Sequence, residues 1–299
     1  MDISPWSLAQ VLCKLFIYGG IAAAIGPPFV SRLNQSSPEF TSFIRRFSLI
    51  LLSSGFIAAL LLFFLQVGAL ADRGLMSMGD ELMRSILWRT RAGPSLILQL
   101  MGFAFGWLLV FLFIGQPQGN VLSRAIALLI YCLSFACLVV SLAIVGHTAE
   151  LSALLQIVIA FHVGLMAWWL GCLAPLRKAC LCLPAPTLFS VMNNFSRCAM
   201  ALVAVLLVSG GILAWQLFAG WQALLATRYG WIFIGKISLV VLILLVAARN
   251  KFQLTPRLLN SEATDARGKL ATTILVEIAI ALGILLVTAA LTTLSGPEH

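Results

Sequence analysis

The chain has 299 residues, 61% of them hydrophobic and only 10% charged, with a mean hydropathy of +1.05. Soluble domains carry about 25% charged residues, so this composition excludes an ordinary soluble enzyme or binding module. The net charge of +9 is no argument for nucleic acid, because surplus Lys and Arg in a membrane protein mark its cytoplasmic loops.

A helix crosses the hydrocarbon core with about 20 apolar residues. Eight stretches satisfy that length: roughly 7–31, 43–70, 94–115, 121–145, 151–175, 196–218, 230–248 and 271–294. Each is continuously apolar instead of alternating as barrel strands do, so the expected fold is all-α integral membrane with eight transmembrane helices. The first run follows Asp2 and continues past signal length, so no cleavable signal peptide is expected. Seven cysteines, mostly within apolar runs, argue against a disulfide framework.

Lys and Arg separate by side. The first, third, fifth and seventh loops hold twelve: Arg32, Arg45, Arg46, Arg124, Arg177, Lys178, Arg197, Arg249, Lys251, Arg257, Arg267 and Lys269. The other side holds five: Arg73, Arg84, Arg89, Arg91 and Arg228. That bias predicts both termini outside the cytoplasm.

The sequence also echoes itself. "TRAGPSLILQL" (90–100) and "TRYGWIFIGKI" (227–237) align without gaps, 137 residues apart, each just before a span. "FSLILLSSG" and "FSRCAMALVAVLLVSG" open spans two and six. Two parallel four-helix repeats, residues 1–145 and 146–299, would leave such traces.

Four ionisable residues lie well within spans: Lys14, His162, Lys236 and Glu277. A charge at the bilayer centre costs about 2.5–3.5 kcal/mol on insertion scales, so such groups face the bundle interior and mark function by default. At ~1.5 Å per residue, His162 and Glu277 both come out ~18 Å below the outer boundary, with the two lysines shallower. His162 and Glu277 would then touch if spans five and eight are neighbours. Such a pair serves either as a structural lock or as a ligand and proton-relay centre.

Met166, one turn beyond His162, and Trp169, nearly two turns beyond, share its helix face. An imidazole and a thioether together suit Cu(I), although most buried methionines only fill space. The second loop, outside by the charge count, carries Met76, Met78 and Met83, whose thioethers stay available in an oxidising compartment. The fifth loop, inside, carries Cys180 and Cys182 as a C-x-C pair, whose thiolates suit Cu(I) in a reducing one. His147 and Glu150 stand at the outer mouth, either as a polar helix start with Thr148 or as a first metal-capture point. His299 ends the chain.

There is no P-loop, G-x-S-x-G, H-E-x-x-H or C-x-x-C-H motif, so neither an ATP-driven pump nor a known enzyme class is expected.

The C-terminal third carries a family likeness. "FSRCAMALVAVLLVSGGILAWQLF", "TRYGWIFIGKISLVVLILLVAARNKFQLTPRL" and "ILVEIAIALGILLVTAALTTLSGP" resemble the copper resistance protein D (CopD) family. The elements that carry it are Phe195–Arg197, the Thr227–Gly230 turn, Lys236, Asn250 with Lys251, Pro256, Glu277 and Leu291–Pro297. "HVGLMAWWLGCLAPL" is similar to that family's His–Trp–Gly helix. The likeness is specific over 146–297 and weaker over 1–145. It implies a multi-pass protein of the bacterial inner membrane with periplasmic termini, handling copper beside a small periplasmic CopC-type carrier. In span one, the position that echoes His162 is Lys14, which cannot ligate a metal while protonated.

The favoured expectation is a copper transporter. Copper enters at His147, Glu150 and the methionine loop, passes His162 and Met166, and leaves toward Cys180 and Cys182. Two alternatives stand beside it: a haem-binding electron-transfer protein, and a non-transporting partner of a periplasmic copper carrier. A haem held by two imidazoles would need His147 and His162, ~22 Å apart on one helix, to fold together.

Overall fold

The computed structural model describes residues 5–34, 37–116, 120–145, 152–217, 225, 227–261 and 263–294. Eight helices are long and apolar enough to cross a membrane. In chain order they are α1 (Pro5–Leu33), α2 (Pro38–Ala71), α4 (Ala92–Phe113), α5 (Val121–Ala143), α6 (Ala153–Cys182), α7 (Ala185–Leu217), α8 (Arg228–Arg249) and α10 (Ala263–Leu294). A 3-10 turn (Leu75–Gly79) and short α3 (Glu81–Arg89) join α2 to α4. A π turn (Asn250–Leu254) and α9 (Thr255–Arg257) prolong α8. Among the described residues there is no strand.

Local chemistry sets the helix starts. Ser37, Asp80, Asn120, Ser152 and Thr227 each accept a hydrogen bond from an amide in the first turn that follows, satisfying donors that a helix start leaves orphaned. The two Thr-Arg copies differ in role. Thr227 Oγ1 accepts from the Gly230 amide at 3.0 Å and caps α8, whereas the aligned Thr90 ends α3 and its Oγ1 accepts from the Ala92 amide at 3.2 Å beside the α4 start at Arg91.

Several helices outrun the apolar windows, all at the end rich in Lys and Arg. α6 continues past Arg177 and Lys178 to Cys182, α7 begins at Ala185, and α10 at Ala263. Hydropathy stops at a charge, whereas helical hydrogen bonding continues until a breaker such as Pro184 arrives. Cys180 and Cys182 therefore lie in the last turn of α6, and the loop expected there is helix.

Two small-residue crossings put α1 in the middle of the bundle. Gly26 and Gly171 bring the backbones of α1 and α6 into direct contact, and a Cβ on Gly171 would fall on the Ala22 carbonyl. Gly20 and Gly55 do the same for α1 and α2, with the Phe103 ring against both. Close backbone approach of this kind holds helices together in a lipid solvent that gives no hydrophobic drive.

Neighbours in one half have counterparts in the other. α1 packs on α2 as α6 packs on α7, α4 on α5 as α8 on α10, and α1 on α10 as α6 on α5. The correspondence stops at α2, which packs on α4 while α7 has no comparable packing on α8; α1 and α6 are in direct contact. The halves still differ in compactness: α1 and α6 are the most enclosed spans, α7 and α8 the least.

Candidate functional site

His162 lies in the N-terminal half of α6, half-buried, with its ring turned to α7. Nδ1 stands 3.0 Å from Ser209 Oγ. Ser209 donates its own proton to the Leu206 carbonyl at 3.0 Å. Where the hydroxyl gives its proton to Leu206, it accepts from Nδ1–H, and Nε2 is then the nitrogen with a lone pair. A metal-ligating imidazole has its other nitrogen held by a partner in this way. Gly210 makes the space: a Cβ there would come within 3.0 Å of His162 Cε1.

The expected His162–Glu277 pair does not form, although α6 and α10 are neighbours. Glu277 accepts from Asn250 Nδ2 at 2.5 Å, and both residues are almost wholly enclosed, at 4% and 5% exposure. Thr273 donates to Asn250 Oδ1 at 2.5 Å, and the Thr255 hydroxyl closes onto the Asn250 carbonyl at 2.8 Å. Lys251 is bonded to Ser196 Oγ at 2.8 Å. This second centre ties the π turn to α10. Its oxygens are bonded to one another instead of aimed at a common point.

The two intramembrane lysines part company. Lys14 donates to the carbonyl and the hydroxyl of Thr292 at 3.0 and 3.1 Å, which pins α1 to the C-terminal end of α10. Lys236 lies on α8, and among the described residues no ion pair is formed by it. Counting along each helix at ~1.5 Å per residue, His162 lies ~15 Å from the Ser152 cap and Lys236 ~14 Å from the Thr227 cap. Ser209 lies ~12 Å from the end of α7 at Leu217, so all three share one level.

Of the other predicted residues, Met166 is partly buried against the core on the His162 face, and Trp169 is buried. Met76 is 92% exposed. Met78 packs near Gly68, and Met83 is partly buried against the core. Cys180 is enclosed, while the Cys182 thiol bonds to the Lys178 carbonyl at 3.1 Å. Two residues apart on a helix, these thiols leave in different directions and do not form a chelate. Among the described residues no three His, Cys, Asp or Glu converge as a metal cluster. His147, Glu150, Thr148 and His299 lie outside the described residues.

Sequence reasoning missed Ser209 and Gly210, the residues that seat the ring. Their signal was present as the small pair inside "LLVSGG", read only as part of the repeat.

Eight apolar spans enclosing an oriented imidazole and a buried carboxyl define a multi-pass helical membrane protein with an ionisable interior. The model of a copper resistance protein D-like N-terminal domain matches residues 3–157, and that of copper resistance protein D matches residues 189–291. The chain belongs to the copper resistance protein D family, a membrane family of copper resistance and not a known enzyme family. The likeness thus reaches through the N-terminal half, where the sequence alone gave only a weak trace. Comparison with curated proteins and with solved structures found no match.

Proposed function

We propose that this protein is a copper permease of the bacterial inner membrane, with both termini periplasmic, moving copper from the periplasm toward the cytoplasm. The reading rests on one observation. His162 places an imidazole at membrane depth, with Nδ1 3.0 Å from Ser209 Oγ and room made by Gly210.

Copper travels as Cu(I), the oxidation state that favours one imidazole with soft thioether donors. Met166 supplies the thioether next to His162. Exposed Met76, with Met78, Met83, His147 and Glu150, forms the outer capture surface, where a small periplasmic CopC-type carrier delivers the ion. Cys182 receives it on the inner side, with Cys180 behind it. The Glu277 centre serves as the protonatable partner of this movement.

Copper flux into proteoliposomes containing only this chain tests the reading. His162→Ala is expected to lower flux to the level of empty vesicles, at least about 100-fold below wild type, while the protein stays folded in the bilayer. Such a loss matches removal of a transported ion's central ligand, worth about 2.7 kcal/mol or more. Wild-type flux in that variant would refute it.

A further inference from the structure

A groove of about 260 Å³ opens in the N-terminal half, at the end of the bundle rich in Lys and Arg, where α1, α4 and α5 meet. No step of copper movement uses it. Its walls are Phe29 from α1, Leu109 and Phe113 from α4, and Leu128 and Tyr131 from α5, with Arg32 at the mouth. The groove follows a break in the packing. Leu109, Ala127 and Ile130 form a cluster of their own, apart from the main core that Phe29 packs against, and Tyr131 touches both.

The two ends of the groove differ in chemistry. The deep end is apolar because its polar atoms are already used. The Tyr131 hydroxyl donates to the Ile25 carbonyl at 3.1 Å, and the Ser31 hydroxyl to the Pro28 carbonyl at 2.8 Å. The mouth is cationic. Arg32 is exposed and makes no ion pair among the described residues. The acids nearest that end are taken, Glu39 by Lys178 at 2.5 Å and Asp265 by Lys269 at 2.6 Å. Arg124, exposed in the first turns of α5, stands one turn before Leu128 and two before Tyr131, on the helix face that lines the groove. At ~1.5 Å per residue, Arg124 to Tyr131 spans ~10 Å and Arg32 to Pro28 ~6 Å. The groove thus runs from the charged helix ends down into the hydrocarbon.

We propose that this groove binds an anionic phospholipid, with one acyl chain along Phe29, Phe113 and Tyr131 and the phosphate on Arg32, Arg124 standing beside it. An unfilled slot forfeits the dispersion contacts of its walls, which a hydrocarbon chain restores. A guanidinium meets a phosphate by two parallel charge-assisted hydrogen bonds. Basic pockets between membrane helices recognise anionic headgroups through this chemistry. The lipid ties α1 to α4 and α5 where the three helices leave a gap. The site is apart from His162, and its occupancy does not depend on whether copper moves through the bundle.

Native mass spectrometry of the full-length protein tests this, with phosphatidylglycerol and phosphatidylcholine of identical chains. Wild type should retain phosphatidylglycerol at least about fivefold more tightly, the worth of about one basic side chain near the membrane surface. Arg32→Gln should erase most of that preference. Arg249→Gln, which removes an exposed arginine at the same end on α8, should keep it. Leu128→Trp fills the slot and should weaken retention of both lipids. Glycerol phosphate, a headgroup without chains, should not displace the lipid. Equal retention of the two lipids by wild type would overturn the proposal. So would equal losses in Arg32→Gln and Arg249→Gln, the mark of general attraction to the basic end. Displacement by glycerol phosphate would also overturn it, leaving a phosphate site with no place for a chain. If Leu128→Trp does not fold, the two arginine variants and the headgroup competition decide.

Discussion

The same two residues do different jobs in the two halves. In the N-terminal half, Ser54–Gly55 sits where α1 and α2 touch: a Cβ on Gly55 would meet the Gly20 Cα and the Phe103 ring. In the C-terminal half, Ser209–Gly210 faces no backbone. A Cβ on Gly210 would meet only the edge of the His162 ring, and Ser209 holds that ring's Nδ1. At this pair of positions one half makes helix contact and the other seats an imidazole.

The remaining polar groups follow this division. Apart from Lys14, which reaches Thr292 on α10, these interior polar contacts of the N-terminal half are neutral and closed within it: Ser95 to the Ser141 carbonyl, Gln99 to Ser95, Ser134 to the Gly102 carbonyl. The second half carries His162, Lys236 and Glu277, on or next to α7 and α8, the two least enclosed spans.

The largest expected effect is at the seam between the halves. Gly171→Ala places a methyl on the Ala22 carbonyl of α1, and neither backbone can retreat without opening the bundle. Its thermal midpoint in detergent should fall by the equivalent of about 3 kcal/mol, the upper range for overpacking. A midpoint within error of wild type would mean the two halves are not joined there.

Gly55→Ala and Gly210→Ala sharpen the contrast directly. The first should cost about 1–3 kcal/mol in stability through Gly20 and Phe103. The second presses on a side chain that can turn, so it should cost less than about 1 kcal/mol while lowering copper flux several-fold. Equal stability losses with equal flux would erase the proposed division of labour.

Ser209→Ala is the mildest. It removes the partner that orients the ring, and outer-shell partners of this kind are worth about 10-fold in metal affinity, alongside about 1 kcal/mol of stability. Titration with Ag(I), a redox-inert stand-in for Cu(I), together with the thermal midpoint reads both. A larger stability loss with unchanged affinity would make the bond purely structural.

The sequence announced what local chemistry determines. Eight apolar runs specified eight spans, and Thr227 marked the start of α8. Cost at membrane depth singled out His162, Lys236 and Glu277. What it could not announce depends on partners far along the chain. Ser209 lies 47 residues from His162, and Asn250 lies 27 from Glu277. Depth alone matched His162 with Glu277. Which face each helix turns inward decided otherwise, since the π turn carries Asn250 to the carboxyl first. Helix ends were blurred for another reason. Arg177 and Lys178 end the apolar window of α6 but not its hydrogen bonding, so Cys180 and Cys182 lay in helix where a loop was expected.

The account stands or falls on whether the His162 imidazole touches copper. X-ray absorption of Cu(I)-loaded protein, wild type beside His162→Ala, examines that bond itself. One nitrogen ligand of imidazole character together with sulfur should be present in wild type and the nitrogen should vanish in the variant. A copper spectrum identical in both proteins would contradict it.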